Sequence, residues 1–223
     1  MSLPRLGIAI SGAGTNMLAI AMQCRDGRIP ARISLVVSDR SDAAGLVRAR
    51  ELGLQTTVVE RAPGESRAVH DARLHAALDS HGVELVVLAG YMRILDAAFV
   101  HAHAGRLLNI HPSLLPKHKG LHTHRAVLAA GEREHGATVH FVTPELDGGP
   151  AVLQGVVPVL HGDDEAQLTA RVQRIEHVLY PTVVDWYARG RLRCLTSGAP
   201  ELDGELLTMP RVIRFDAEGH LHA

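Results

Sequence analysis

Asn109, His111 and Asp147 are the residue types that acyl-type chemistry needs, and they share one stretch of this chain, Leu107 to Asp147. An amide donates to a developing oxyanion, an imidazole carries a proton, and a carboxylate favours the charged imidazole. Asn109 and His111 end the apolar run Leu107-Leu108-Asn109-Ile110-His111, and strand alternation points residues two apart to the same side. Pro112 and Pro116 deny helix and ladder to the residues after His111, so the run turns into a loop there. Asp147 arrives after a second strand-like run, Ala137 to Val142, within Thr143-Pro144-Glu145-Leu146-Asp147-Gly148-Gly149. Taken singly, an Asn at a strand end and an Asp before Gly-Gly are turn residues, and a lone His is packed or solvated. Their combination is what suggests a site. No Ser or Cys stands beside a base as a nucleophile, which argues for direct attack rather than an acyl-enzyme.

The elements that must position these groups alternate along the chain. Leu6-Gly7-Ile8-Ala9-Ile10 is an apolar run without alternation, as in a parallel strand covered on both faces. Ser11-Gly12-Ala13-Gly14-Thr15-Asn16 comes next, and then a helical run from Met17. Such a turn offers backbone N–H groups to an anion. Met17 replaces the third glycine of a dinucleotide fingerprint and no G-K-[ST] occurs, so a single phosphate fits better. Ile33 to Ser38 reads as a second strand. Asp42 caps a helix of Ala43 to Leu52 ending at Gly53, Thr56 to Val59 is a third strand, and Ser66 to Ser80 a further helix. Arg67 falls in that helix's first turn, an unfavourable place for a cation beside the positive dipole end, which hints at a ligand. Leu85 to Ala89 is the most apolar strand, and Gly90-Tyr91-Met92-Arg93-Ile94-Leu95 leaves its carboxyl end, where open α/β sheets bind ligands. One cation in an apolar run suits a flat heteroaromatic ring held by backbone groups. Val152 to Val159 reads as a strand interrupted at Gly155. Asp163 or Asp164 then starts a helix from Glu165 to about Arg189, with Glu176 inside it and a kink at Pro181. The alternation predicts an α/β fold: a three-layer, mostly parallel twisted sheet with helices on both faces and a Rossmann-like N-terminal half. Residues 1–190 form its body and 191–223 a C-terminal strand appendage of the same domain.

Composition bounds the function. A 46% apolar content over 223 residues supports one large core, and a net charge of −1 gives nucleic acid no electrostatic footing. The start lacks an apolar signal core, no run approaches the ~20 residues of a membrane span, and Cys24 and Cys194 form no C-x-x-C. A cytoplasmic, reduced protein without membrane or nucleic-acid partners is expected. His118 and His122 have H-x-x-x-H spacing. They sit among Pro116, Lys117, Lys119 and Gly120, a cationic loop rather than a helix face, so no metal is expected. Thr138 and His140 share a strand face and are expected to look toward the site.

The run Asn109-Ile110-His111-Pro112-Ser113-Leu114-Leu115-Pro116 with Gly120 and Asp147 resembles the folate-dependent formyltransferase superfamily. Ala89 to Leu95, Gly120-Leu121-His122-Thr123-His124, Val139-His140-Phe141-Val142-Thr143 and Leu146-Asp147-Gly148-Gly149-Pro150 are similar to its purine-synthesis branch, the phosphoribosylglycinamide formyltransferases. The likeness spans roughly residues 5–193 at several separate motifs. It implies 10-formyltetrahydrofolate as formyl donor, the amine of 5-phosphoribosylglycinamide as acceptor, no metal, and a monomer or weak homodimer. It further implies that Gly14, Thr15 and Asn16 hold the ribose phosphate and that Glu176 meets the glycinamide moiety. Arg67, Met92, Arg93, Ile94, Leu95 and Thr143 would contact the folate together with Asn109 and Asp147. Asn109, His111 and Asp147 would be catalytic. Rival readings are a formyltetrahydrofolate deformylase using the same three residues with water, a methionyl-tRNA formyltransferase, a non-catalytic folate binder, and a nucleotide-binding oxidoreductase with Asp39 near a ribose. The deformylase would bring an N-terminal regulatory domain, whereas the first strand begins at Leu6. The tRNA enzyme needs an RNA-binding C-terminal domain and a basic surface. The missing third glycine and the adjacent Arg40 weaken the oxidoreductase.

Overall fold

The unalternating apolar runs become the middle of one sheet because both of their faces are covered. In the computed structural model, which describes residues 3–221, β1 (Arg5–Ile10) turns Leu6, Ile8 and Ile10 into one core and Ala9 into another. The first core packs against α1 (Thr15–Arg25), α2 (Ala44–Glu51) and the long C-terminal helix. The second packs against α3 (Arg67–Ser80) and α4 (Ala97–Ala102) through Leu74, Leu78, Phe99 and Val100. Alternation within each buried strand thus produces the three layers.

The remaining strands are β2 (Arg32–Ser38), β3 (Thr56–Val58), β4 (Leu85–Leu88), β5 (Leu107–His111), β6 (Glu134–Phe141) and β7 (Ala151–Pro158). Helix α5 (Thr123–Ala129) precedes β6, and α6 (Glu165–Ala188) comes after β7. Beyond α6 lie β8 (Leu192–Cys194), β9 (Pro200–Leu202), β10 (Glu205–Leu206) and β11 (Arg211–Arg214). Eight strands form the main sheet in the order β11-β7-β6-β5-β4-β1-β2-β3. Only the pairings of β6 with β5 and β7 are antiparallel, so the sheet is mostly parallel, as expected. Within residues 191–223, β8, β9 and β10 make a small antiparallel sheet of their own, with β9 and β10 joined through Asp203 and Gly204 at φ 54° and 84°. β11 returns to extend the main sheet beside β7.

Two local expectations are corrected. β7 runs unbroken through Gly155, where a Cβ would come within 2.6 Å of Leu179 on α6, and a Cβ at Gly136 would strike the Gly155 carbonyl. The glycine there admits a helix rather than ending a strand. Asp42 does not cap α2: it pairs with Arg40 at 2.9 and 2.8 Å, while the Gly45 N–H, an orphan of the first turn, donates to the Gly12 carbonyl at 2.9 Å. Pro181 lies inside α6, which is continuous from Glu165 to Ala188. Asp164 caps it in a reciprocal arrangement with Gln167, leaving Asp163 to pair with Arg171.

Tyr180, fully buried on α6, turns its hydroxyl to the carbonyls of Leu88 (3.0 Å) and Leu108 (2.9 Å) on adjacent strands, one residue before Asn109. Tyr180→Phe leaves both acceptors without that donor, so equilibrium urea unfolding should show a loss of about 1–3 kcal/mol.

Candidate active site

Strand order reverses between β1 and β4, because β2 and β3 lie on one side of β1 and β4 and β5 on the other. A parallel sheet opens a crevice at the carboxyl ends of its strands at such a point. The cleft found there has a volume of about 660 Å³, of the size that takes small molecules. The turn Gly12 to Asn16 lines one part, Tyr91 to Leu95 another, and Asn109, His111, His140 and Asp147 converge between them.

Each of the three chemical groups is held by a different part of the chain. Asn109, on β5, donates its side-chain amide to Nε2 of His140 on β6 at 3.2 Å. The opposite nitrogen of His140, Nδ1, lies 2.9 Å from the Phe141 carbonyl, which can only accept, so Nδ1 carries the hydrogen and Nε2 is the acceptor. Burial, with Phe141 opposing it, pushes the His140 pKa down, which keeps that acceptor neutral. Nε2 of His111 donates to the His118 carbonyl at 2.9 Å, leaving Nδ1 to face the Asp147 carboxylate at 3.5 Å. Asp147 has φ 48° and accepts from the Gly120 amide at 2.9 Å, which fastens the loop after β5 to the loop after β6.

Histidine pairs fasten the loop between β5 and α5 and the start of α5 to the segment that follows. His118 meets Glu132 at 2.7 Å, and His124 meets the buried His135 at 3.0 Å. Burial lowers the His135 pKa to about 3, so that contact joins a neutral ring. Among the described residues, the His and carboxylate set close enough for a metal is Asp216, Glu218 and His220, on a turn outside the cleft lining.

Thr138 departs from expectation. It pairs across the strands with His111, but the chain after Pro112 folds over it and it does not line the cleft. Its hydroxyl donates to the Ser113 carbonyl (2.7 Å) and accepts from Leu115 N (3.1 Å) and Gln154 Nε2 (3.0 Å), which uses its whole capacity. Thr143 does line the cleft. Arg67, exposed in the first turn of α3, is not among the lining residues. Asp39, the ribose candidate of the oxidoreductase reading, accepts from the Ser11 hydroxyl at 2.5 Å and faces Arg93 at 3.8 Å, so its carboxylate is already engaged.

At the far end, Gly14 (φ 69°) caps α1 with no side chain, and a Cβ there would sit 2.9 Å from Gly45 Cα. The turn can therefore pack closely on α2. Arg48 donates to the Ala13 carbonyl at 3.1 Å and Gln173 to the Thr15 hydroxyl at 3.0 Å. Buried Asn16 donates to Glu176 at 2.8 Å, and its Oδ1 is buried with no partner among the described residues. Burial raises the Glu176 pKa to about 7, against the Asn16 hydrogen bond. An acid whose folded pKa lies above its usual 4.5 adds no penalty below that pH, and the penalty grows to its full size above about 7. Glu176→Gln should therefore be more stable than the parent by up to about 3 kcal/mol at pH 8, with the gap closing by pH 4.5 in urea titrations run across that range.

Residues 5–184 match the family model described as formyl transferase. The chain is 50% identical over 200 residues to the phosphoribosylglycinamide formyltransferase of Escherichia coli K12, covering 90% of this chain and 94% of that one. A solved phosphoribosylglycinamide formyltransferase of Coxiella burnetii superposes with a TM-score of 0.87 at 39% identity, over 98% of both chains. A formyltetrahydrofolate deformylase of Pseudomonas putida KT2440 is more distant, at 26% identity and a TM-score of 0.80, covering 90% of this chain and 70% of that one. With a cleft at the sheet's switch point, an Asn, His and Asp set converging inside it, and a family match over most of its length, the chain belongs to the formyl transferase family.

Proposed function

We propose that the protein transfers the formyl group of 10-formyltetrahydrofolate to the amine of 5-phosphoribosylglycinamide, a step of purine synthesis. The observation that carries this reading is the convergence of Asn109, His111 and Asp147 in a cleft that has an anion turn at one end and a peptide-lined rim at the other. Gly14, Thr15 and Asn16 take the phosphate, and Glu176 faces the glycinamide portion. Met92, Arg93, Ile94 and Leu95 hold the pterin ring, with Thr143 beside them.

The amine nitrogen attacks the formyl carbon and a tetrahedral oxyanion forms. Asn109 donates to it with the N–H not given to His140, and His111 supplies the second donor through Nδ1, the nitrogen not given to His118. As the carbon to N10 bond breaks, the amine loses a proton and N10 gains one through a water beside Asp147. The acceptor is a small molecule, and no step calls for a metal or nucleic acid. Among the described residues no helix is long and apolar enough to cross a membrane. The protein acts in the cytoplasm as a monomer or weak homodimer.

The test is purified protein with 10-formyltetrahydrofolate, following deformylated folate with and without the nucleotide. Folate release should require the nucleotide. Equal release in its absence would make the protein a hydrolase instead.

A further inference from the structure

We infer that Ser11 and Asp71 are positioning residues for the folate, pinning the two ends of the rim segment that forms one wall of the cleft. This rests on reading Met92 to Leu95 as the pterin wall. The segment lies between β4 and α4 and belongs to neither, so no ladder or helix fixes its shape. At its start the Met92 N–H donates to the Ser11 hydroxyl at 2.8 Å. That hydroxyl spends its single hydrogen on Asp39, so its lone pairs are left to face Met92. At its end the Asp96 N–H donates to Asp71 Oδ2 at 2.7 Å. Asp96 in turn caps α4 through Ala98 and Phe99, which ties the rim to the helix behind it.

The second pin is buried and expensive. His70 is 0% exposed and Asp71 2%, and they meet at 2.7 Å through Nδ1 and Oδ1. Nε2 of His70 lies 2.8 Å from the Val59 carbonyl. A carbonyl can only accept, so Nε2 carries a hydrogen and the ring is locked between β3's end and Asp71. Burying a polar pair of this kind rarely improves stability over apolar packing, so its position asks for another reason. Besides the Val59 carbonyl, its hydrogen-bond partner outside the pair among the described residues is the Asp96 amide. Between the pins, the N–H groups of Arg93, Ile94 and Leu95 have no hydrogen-bond partner among the described residues, while Met92 and Ile94 are 68% and 54% exposed. Two fixed ends and free peptide groups between them present a preset row of donors and acceptors to the edge of a flat heterocycle. Pre-organisation of that row lowers the cost of binding.

The experiment compares the intact protein with Ser11→Ala and Asp71→Ala, measuring KM for each substrate and binding of tetrahydrofolate by calorimetry. Each variant should raise the folate KM and weaken tetrahydrofolate binding about tenfold, the loss expected for one hydrogen bond to a charged or polarised partner. The nucleotide KM and kcat should stay within about twofold of the parent. Thermal melts accompany both, and if Asp71→Ala is unfolded at assay temperature, Ser11→Ala decides alone. Folate KM unchanged in the folded variants overturns the inference, as does an equal rise for both substrates, which would indicate general loosening. Failure of the parent to bind tetrahydrofolate at all would instead remove the reading on which the inference rests.

Discussion

His111→Ala should lower kcat by on the order of a hundredfold or more, the cost typical of removing one donor to a developing oxyanion. The substitution takes away one donor and the partner of Asp147, while Asn109 keeps its orientation through His140. Folding should survive. The imidazole gives one hydrogen bond to the His118 carbonyl, and the loop around it keeps its ties from Ser113 to Lys117 and from His118 to Glu132. The expected stability loss is about 1–3 kcal/mol. Steady-state kinetics beside a circular-dichroism melt separate the two effects. A folded variant turning over near the parental rate would strip His111 of its role.

Asp147→Asn is the cleaner substitution and should be as damaging. Asn tolerates the left-handed backbone seen at φ 48°, and its carbonyl oxygen can still accept from Gly120 N, so shape and loop anchoring persist. Only the charge facing His111 is lost. Turnover should fall by roughly two orders of magnitude or more with KM values and thermal midpoint little changed, since the group acts on the transition state rather than on bound substrate. A drop confined to KM would assign Asp147 to binding alone.

Features that depend on neighbours in sequence were legible beforehand. The unalternating runs of β1 and β4 announced a sheet covered on both faces, and Leu107 to His111 put Asn109 and His111 on the same side of a strand end. Of the two candidates for the start of α6, Asp163 and Asp164, the second caps it. The misses share a cause: a partner distant in sequence took over a residue whose local signal said something else. Gly155 looked like an interruption because nothing nearby in sequence reveals that α6 must lie against it. Asp42 looked like a cap until the Gly12 carbonyl took the helix's open amide. Thr138 was placed on the right strand but under the loop, since alternation gives a face and not what covers it. Tyr180, His70 and Asp71 gave no warning, because a helix residue reads as core or surface and its long-range acceptor is invisible.

The proposed reaction stands on one carbonyl carbon passing straight from folate nitrogen to a nucleotide amine. The most direct measurement is carbon NMR of a single turnover with donor labelled with carbon-13 at the formyl group, in the presence of 5-phosphoribosylglycinamide. The label should move into a formamide on the nucleotide, with no free formate formed. Label accumulating as formate, at a rate indifferent to the nucleotide, would contradict it.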